Sequence, residues 1–346
     1  MTIVLISDGE LEHAGCQHLA GELRRLGRPC LTVATPLQGL QPLPVGPADL
    51  TIETPGQLLT GALLLEASAI GLFLRNAAEV DAFIRGYRAR MATAARAPVP
   101  LFSGPLRPLV GDALMEDVSH RLMADLLVLS GPVQQEQLRA SSRHWPAELR
   151  PPAVVTTGFW FPMTAPETAP KSSKLLVALI QKDIPSHQGS REQLIRQLQR
   201  WANQHPDWTI VLQRDHGWPS GQSLLENANG RPANLVEAAP GQMLELLARC
   251  DICLSVSSPW SLAAICWGAQ PLMVGDYGIQ AEQDTVGWFG CGAMHRLRDI
   301  DDLNALQGHP AINRAWLDGI GGAIRDGAER LLESLEAQCP HPYGCC

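Results

Sequence analysis

The chain has 346 residues, 45% of them hydrophobic and 18% charged, with a formal net charge of −8. That length exceeds what one small core needs and predicts two domains, while the negative balance argues against nucleic acid as a partner, because affinity for a long polyanion comes mostly from Lys and Arg. No apolar run is long enough to cross a membrane and the start MTIVLISDGELEHAG carries no basic leader, so a cytoplasmic protein with no transmembrane segment is expected.

In chain order, Ile3–Ser7 is an apolar strand, and Leu11, Gly15, Leu19, Leu23 and Leu26 recur at helical spacing through Leu26. Pro29–Ala34 is a second strand, and the stretch from Pro36 to Pro55, rich in Pro, Gly and Leu, is an excursion over the sheet edge. Leu63–Leu65 and Ala69–Leu74 are strand candidates, Ala77–Ala95 an Arg-rich helix, and Val99–Gly104 a strand with a glycine turn. Leu114–Ala124 is helical, Leu126–Ser130 a strand, Val133–Ser141 a helix and Val154–Gly158 a closing strand. This alternation predicts an open parallel sheet with helices on both faces.

TAPETAPKSS, at 164–173, is polar, proline-containing and aperiodic, and separates a first domain at 1–163 from a second at 174–310. In the second, Lys174–Ile180, Thr209–Gln213, Asn234–Ala238, Asp251–Val256 and Pro271–Val274 are strands, and Arg191–Gln204, Gly241–Arg249 and Trp260–Trp267 are helices. The region 311–338 is helical and is expected to pack across both halves, ahead of a flexible tail at 339–346. Ligands of such sheets bind at the carboxyl edges of the strands, which directs attention to a cleft between the two halves.

The most informative stretch is DICLSVSSPWSLAAICWGAQPLMVGDYG, a strand, a hydroxyl-rich turn, a helix and a second strand. A turn of this kind at a helix start offers backbone N–H groups and the Ser257, Ser258 and Ser261 hydroxyls to a phosphate; Ser257 or Ser258 can equally serve only as an N-cap. Cys16, Cys30, Cys253, Cys266 and Cys291 read as reduced core thiols. Cys250 and Cys253 form a C-x-x-C without a second pair, and Cys339, His341, Cys345 and Cys346 lie in the tail, so no metal site is expected.

From Lys174 to Met294 the chain resembles the nucleotide-binding half of GT-B type glycosyltransferases, especially bacterial capsule-polysaccharide and polysialyltransferase-like enzymes. The matching pieces are LLVALIQKDIPSHQGSREQLIRQL, TIVLQRDHG, the Ser-Ser turn with its flanking strands, GDYG and FGCGAM; the first half agrees in element order. The resemblance implies two Rossmann-like open parallel-sheet domains facing a cleft. It also implies an inverting, metal-independent transfer from a nucleotide sugar to a glycan or small-molecule acceptor, with that donor as co-substrate and no cofactor. One departure stands out: where many relatives carry a glutamate for the donor ribose, this chain reads LAAIC, with Ala263 and Ala264.

Carried onto this sequence, the resemblance points to Gln181, Lys182, Arg214, Ser257, Ser258, Ser261 and Asp276 as donor-binding residues, with His187, His216, Gly217 and Tyr277 beside them. Arg214 could hold a diphosphate bidentately or pair with Asp215. A sugar hydroxyl needs a base within hydrogen-bond reach; Asp8 is the first candidate and His13 the second, although Ser7-Asp8 can equally cap the next helix. Glu10, Ser103, Gly104 and Arg107 are acceptor-binding candidates, whereas His120 and Arg121 read as helix-surface residues. Asp299-Ile300-Asp301 matches a D-x-D metal pattern but is better explained by capping of the helix it precedes. A nucleotide-sugar epimerase and a non-catalytic sugar- or nucleotide-binding protein are the alternatives, and a homo-oligomer is compatible with the sequence.

Overall fold

A computed structural model describes residues 2–35, 46–166, 174–215, 218, 223–225, 231–239, 241–306 and 312–338. Segment 36–45, most of the expected linker (167–173), His216, Gly217 and the tail with Cys339, His341, Cys345 and Cys346 lie outside the described residues. Contacts divide the chain into two compact units, one running to Phe161 and resuming at Asp318, the other spanning Pro162–Leu317.

The first unit begins β1 (Thr2–Ser7), α1 (Glu10–Arg25), β2 (Cys30–Ala34), β3 (Leu50–Thr51), α2 (Leu63–Glu66) and β4 (Ala67–Phe73). It continues with α3 (Ala77–Thr93), β5 (Leu101–Ser103), α4 (Gly111–Ser119), β6 (Leu126–Leu129), α5 (Pro132–Ser142) and β7 (Ala153–Thr156). The strands are parallel in the order β3-β2-β1-β4-β5-β6-β7. The chain walks outward from β1 to β3, then returns to lay β4 on the other side of β1, which makes the β1/β4 gap the topological switch point. Beyond Thr2, every residue of β1 is buried, as a central parallel strand covered on both faces requires.

Two expectations are corrected here. Leu63–Leu65 is not a strand but part of the short helix α2 that leads directly into β4; a short apolar run does not distinguish the two. The helix expected over 114–124 is α4, which ends at Ser119 and leaves Arg121 beyond it and buried, not on a helix surface.

The second unit contains β8 (Leu175–Ile180), α6 (Gln188–Gln204), β9 (Thr209–Arg214), β10 (Leu235–Glu237), α7 (Met243–Arg249) and β11 (Ile252–Ser255). After these come α8 (Trp260–Cys266), β12 (Gln270–Val274), β13 (Met294–His295) and α9 (Arg314–Leu317). Its parallel strands run β10-β9-β8-β11-β12-β13, with the switch point between β8 and β11. β8 is buried throughout. Trp201 and Trp208 fill the core beside it, their indole N–H groups satisfied by the Ile300 carbonyl and the Asn304 side chain, both at 3.1 Å.

From Asp318 the chain belongs to the first unit again. There α10 (Gly327–Gln338) buries Ala328, Leu331 and Leu335 in the core formed with Leu19, Leu23 and Phe102. Among the described residues no helix is long and apolar enough to cross a membrane.

Candidate functional site

At the switch point of the first unit, Asp8 follows β1, and its Oδ1 accepts the backbone N–H of Arg75, just beyond β4, at 2.5 Å. Burial pushes the Asp8 carboxyl above the usual aspartate range; the Arg75 N–H opposes this and the Glu79 carboxylate adds to it. Asp8 does not cap α1, because the N-cap is Gly9 and no side chain bonds to the helix start there. A half-buried carboxylate with raised proton affinity at a strand end has the character of a general base.

The other candidates of this unit separate. His13, only 1% exposed, has Nε2 3.0 Å from the Gly46 carbonyl oxygen and Nδ1 enclosed without a hydrogen-bond partner, so its ring packs as core. Glu10 is half-buried in the first turn of α1, and Arg107 is exposed. Ser103 is wholly buried, donating to the Leu72 carbonyl at 2.5 Å and accepting from Arg121 Nη1 at 2.6 Å. A Cβ on Gly104 would stand 1.7 Å from the Val128 carbonyl oxygen, so this glycine lets β5 approach β6. The structure thus uses Ser103 and Gly104 in packing, where an acceptor contact was expected.

In the second unit, Gln181 follows β8 and its Oε1 accepts both the N–H and the hydroxyl of Ser257, at 3.1 and 3.3 Å, across the switch point. The free N–H groups expected at the Ser-Ser turn are absent. Ser258 N–H goes to Ser255 Oγ at 2.8 Å and Trp260 N–H to Ser258 Oγ at 3.3 Å, while Ser261 and Leu262 N–H groups bond to the Ser258 and Pro259 carbonyls. Ser257, Ser258 and Ser261 are all buried, with Ser261 against the Cys253 thiol, and the Ser257 carbonyl accepts from the Trp288 indole at 3.3 Å. The turn is a closed junction rather than an open phosphate cradle, because Gln181, the Ser255 and Ser258 hydroxyls and two backbone carbonyls consume the donors. Ala263 and Ala264 are likewise wholly buried.

Arg214, at the end of β9, pairs with Glu237 at the end of β10 at 2.9 Å rather than with Asp215. Glu237 in turn receives the Ser223 hydroxyl and the Leu225 N–H, so Arg214 is tied into a structural cluster, with its Nε enclosed and unpartnered. Asp276 Oδ2 accepts the Leu297 N–H at 2.7 Å. Tyr277 donates to the Ser190 carbonyl at 3.0 Å, its phenol pushed up to about 12 by burial. Lys182 and His187 are exposed on the loop after β8. That loop is anchored by Gln283, which exchanges two hydrogen bonds with Ser186 at 3.1 and 2.7 Å, a pairing with no local sequence signal. Asp299 lies in an exposed turn 3.6 Å from Arg298, and Asp302, not Asp299 or Asp301, receives the Asn304 N–H at 2.8 Å.

The model of a family described as "Putative glycosyltransferase (DUF6716)" matches residues 74–321. Among solved structures, the chain is similar to MnaA of S. aureus in a co-structure with UDP, at 14% identity and TM-score 0.64 over 97% of this chain and 96% of that one. It is similar to UDP-GlcNAc 2-epimerase from Neisseria meningitidis bound to UDP-GlcNAc, at 12% identity and TM-score 0.62 over 97% and 100%. It is also similar to the glycosyltransferase SnogD from Streptomyces nogalater, at 15% identity and TM-score 0.57 over 98% and 100%. At these identities the likeness is one of fold, the two-sheet GT-B arrangement. No curated protein sequence matches the chain.

Proposed function

The chain belongs to the family described as "Putative glycosyltransferase (DUF6716)", and on that premise we propose that it moves a sugar from a nucleotide-activated donor to a hydroxyl acceptor, with Asp8 as the base. Asp8 removes the acceptor proton as the oxygen attacks the anomeric carbon and the bond to the donor phosphate breaks, a single displacement that inverts the centre. Lys182, exposed and outside any hydrogen bond or ion pair among the described residues, meets the charge that develops on the leaving phosphate, with His187 beside it when protonated. Arg214 and the Ser257-Ser258 turn shape the donor edge from behind, since their polar groups are largely engaged within the chain. The acceptor is a glycan or a small molecule.

The observation that carries this reading is Asp8 itself: a carboxylate at the β1/β4 switch point, kept from full solvation and held by the Arg75 backbone N–H across the switch point. The test is a transfer assay with nucleotide-sugar donors, uridine diphosphate forms first because two of the fold neighbours are described with UDP or UDP-GlcNAc. Asp8→Asn is expected to lower kcat by about 10²- to 10⁴-fold with little change in donor affinity. An unchanged kcat would remove Asp8 from the chemistry. Conversion of the donor to an epimer without acceptor would favour the epimerase reading, whose fold this chain shares; tight binding without turnover would favour a binding protein.

A further inference from the structure

Arg121 lies in the turn after α4 and is 3% exposed, a costly place for a permanent cation unless its donors are matched. Its Nε and Nη2 hold Asp117 Oδ1 and Oδ2 at 2.6 and 3.0 Å. Nη1 donates to Ser103 Oγ at 2.6 Å, and that hydroxyl donates onward to the Leu72 carbonyl near the end of β4. Nη2 also stands 3.5 Å from the Leu74 carbonyl oxygen, a long contact that acts through charge more than through hydrogen-bond geometry.

The Leu74 carbonyl and the Arg75 N–H are two ends of one peptide unit, and the Arg75 N–H is the donor that Asp8 accepts. One rigid plane therefore carries a buried cation at its oxygen end and a carboxylate at its N–H end. The next residue, Asn76, accepts the Ala78 N–H at 3.1 Å and starts α3. All three residues of the β4–α3 turn are thus held by separate contacts.

We propose that Arg121 is a positioning residue for Asp8, acting through the Leu74–Arg75 peptide plane; the role in turnover rests on the reading of Asp8 as the base. The guanidinium fixes and polarises the plane, so the Arg75 N–H meets Asp8 in one orientation and favours its ionised form against the burial around it. The charged groups acting on Asp8 are Glu79 and Arg75 from the β4–α3 segment, and the first turn of α1 adds Glu10 and Glu12, the Glu12 carboxylate lying over Gly9.

The test follows the Asp8 side-chain carboxyl carbon and the Arg75 amide by NMR through a pH titration of the full chain. Arg121→Lys keeps a cation but loses the fork, and Ser103→Ala is a milder variant that removes one anchor and no charge. In both, the Asp8 midpoint is expected to move upward and the Arg75 amide to lose much of the pH-dependent shift it shares with Asp8. The titration of Asp49, held elsewhere by Thr32 and Arg24, should stay as in the wild type. A folded variant of either kind with wild-type Asp8 and Arg75 titrations overturns the proposal. These signals need no turnover, so a protein without transferase activity counts against Asp8 as a base and leaves the positioning result readable. Where transfer is measured, Arg121→Lys should lower kcat and move the acid limb of its pH profile upward while the donor KM holds.

Discussion

Asp8 sits where its own charge is resisted: burial and the Glu79 carboxylate raise its proton affinity, and the Arg75 N–H partly offsets them. A native value above the unfolded one near 3.9 makes its contribution to stability complete below that pH and lost as pH rises through the native value. Asp8→Asn, which imitates the protonated acid and still accepts a hydrogen bond, should therefore melt higher than the wild type at neutral pH. That advantage should shrink as pH falls toward about 4. Equal melting temperatures at neutral pH would mean that the fold does not strain this carboxylate. Lys182 offers a second test at this scale. Lys182→Ala is expected to weaken binding of a nucleoside diphosphate by about 10- to 150-fold, the loss of one bond between charged groups. Unchanged affinity by calorimetry would put the phosphate contact elsewhere. The sequence placed Asp8 at a strand end but left capping and chemistry equivalent, because the deciding partner, Arg75, is 67 residues away. The ion-pair partner of Arg214 was hidden for the same reason: nothing local distinguishes Glu237 from Asp215.

At the scale of elements, both sheets present the same device. Each has a switch point, and in each a side chain after the first strand bonds across to the segment after the returning strand: Asp8 to Arg75 in one unit, Gln181 to Ser257 in the other. These elements were readable because short apolar runs bounded by turn residues are local signals. Where the run was too short, as at Leu63–Leu65, helix and strand looked alike. Gly104 shows how tightly the edges are packed. Gly104→Ala would push a methyl group into the Val128 carbonyl and force β5 from β6, with an expected loss of about 3–5 kcal/mol in a denaturation experiment. A loss under about 1 kcal/mol would mean that the strands part without cost.

For the whole molecule, the chain's path makes one strong statement. It leaves the first unit after Phe161 and re-enters it at Asp318, so the first unit is incomplete until the end of the chain is made. Leu331 and Leu335 are 0% and 5% exposed, and a Cβ on Gly327 would stand 1.9 Å from the Thr157 carbonyl oxygen. Burying a leucine side chain contributes about 1.5–3 kcal/mol, and a domain's whole margin is about 5–15 kcal/mol. A chain ending at Leu317 is therefore expected to be insoluble or to lose the cooperative melting of the first unit. Unchanged melting would show that α10 is dispensable. A nucleotide bound at about 100 times its dissociation constant should in turn add roughly 2.7 kcal/mol to the intact protein.

By itself the sequence determined the two parallel α/β units, the order of nearly all their elements, the strand ends where chemistry could stand and the resemblance to a transferase class. Each of these depends on periodicities and turn residues within a few positions of one another. Only the tertiary structure decided which of those polar groups are available. It closed the Ser257-Ser258 turn on Gln181 and on nearby hydroxyls, tied Arg214 to Glu237, enclosed His13 and carried Arg121 into the interior beside the Leu74 carbonyl. A hydrogen-bond donor or a charge is free or spent according to partners that arrive from distant parts of the chain, and no local pattern records their arrival.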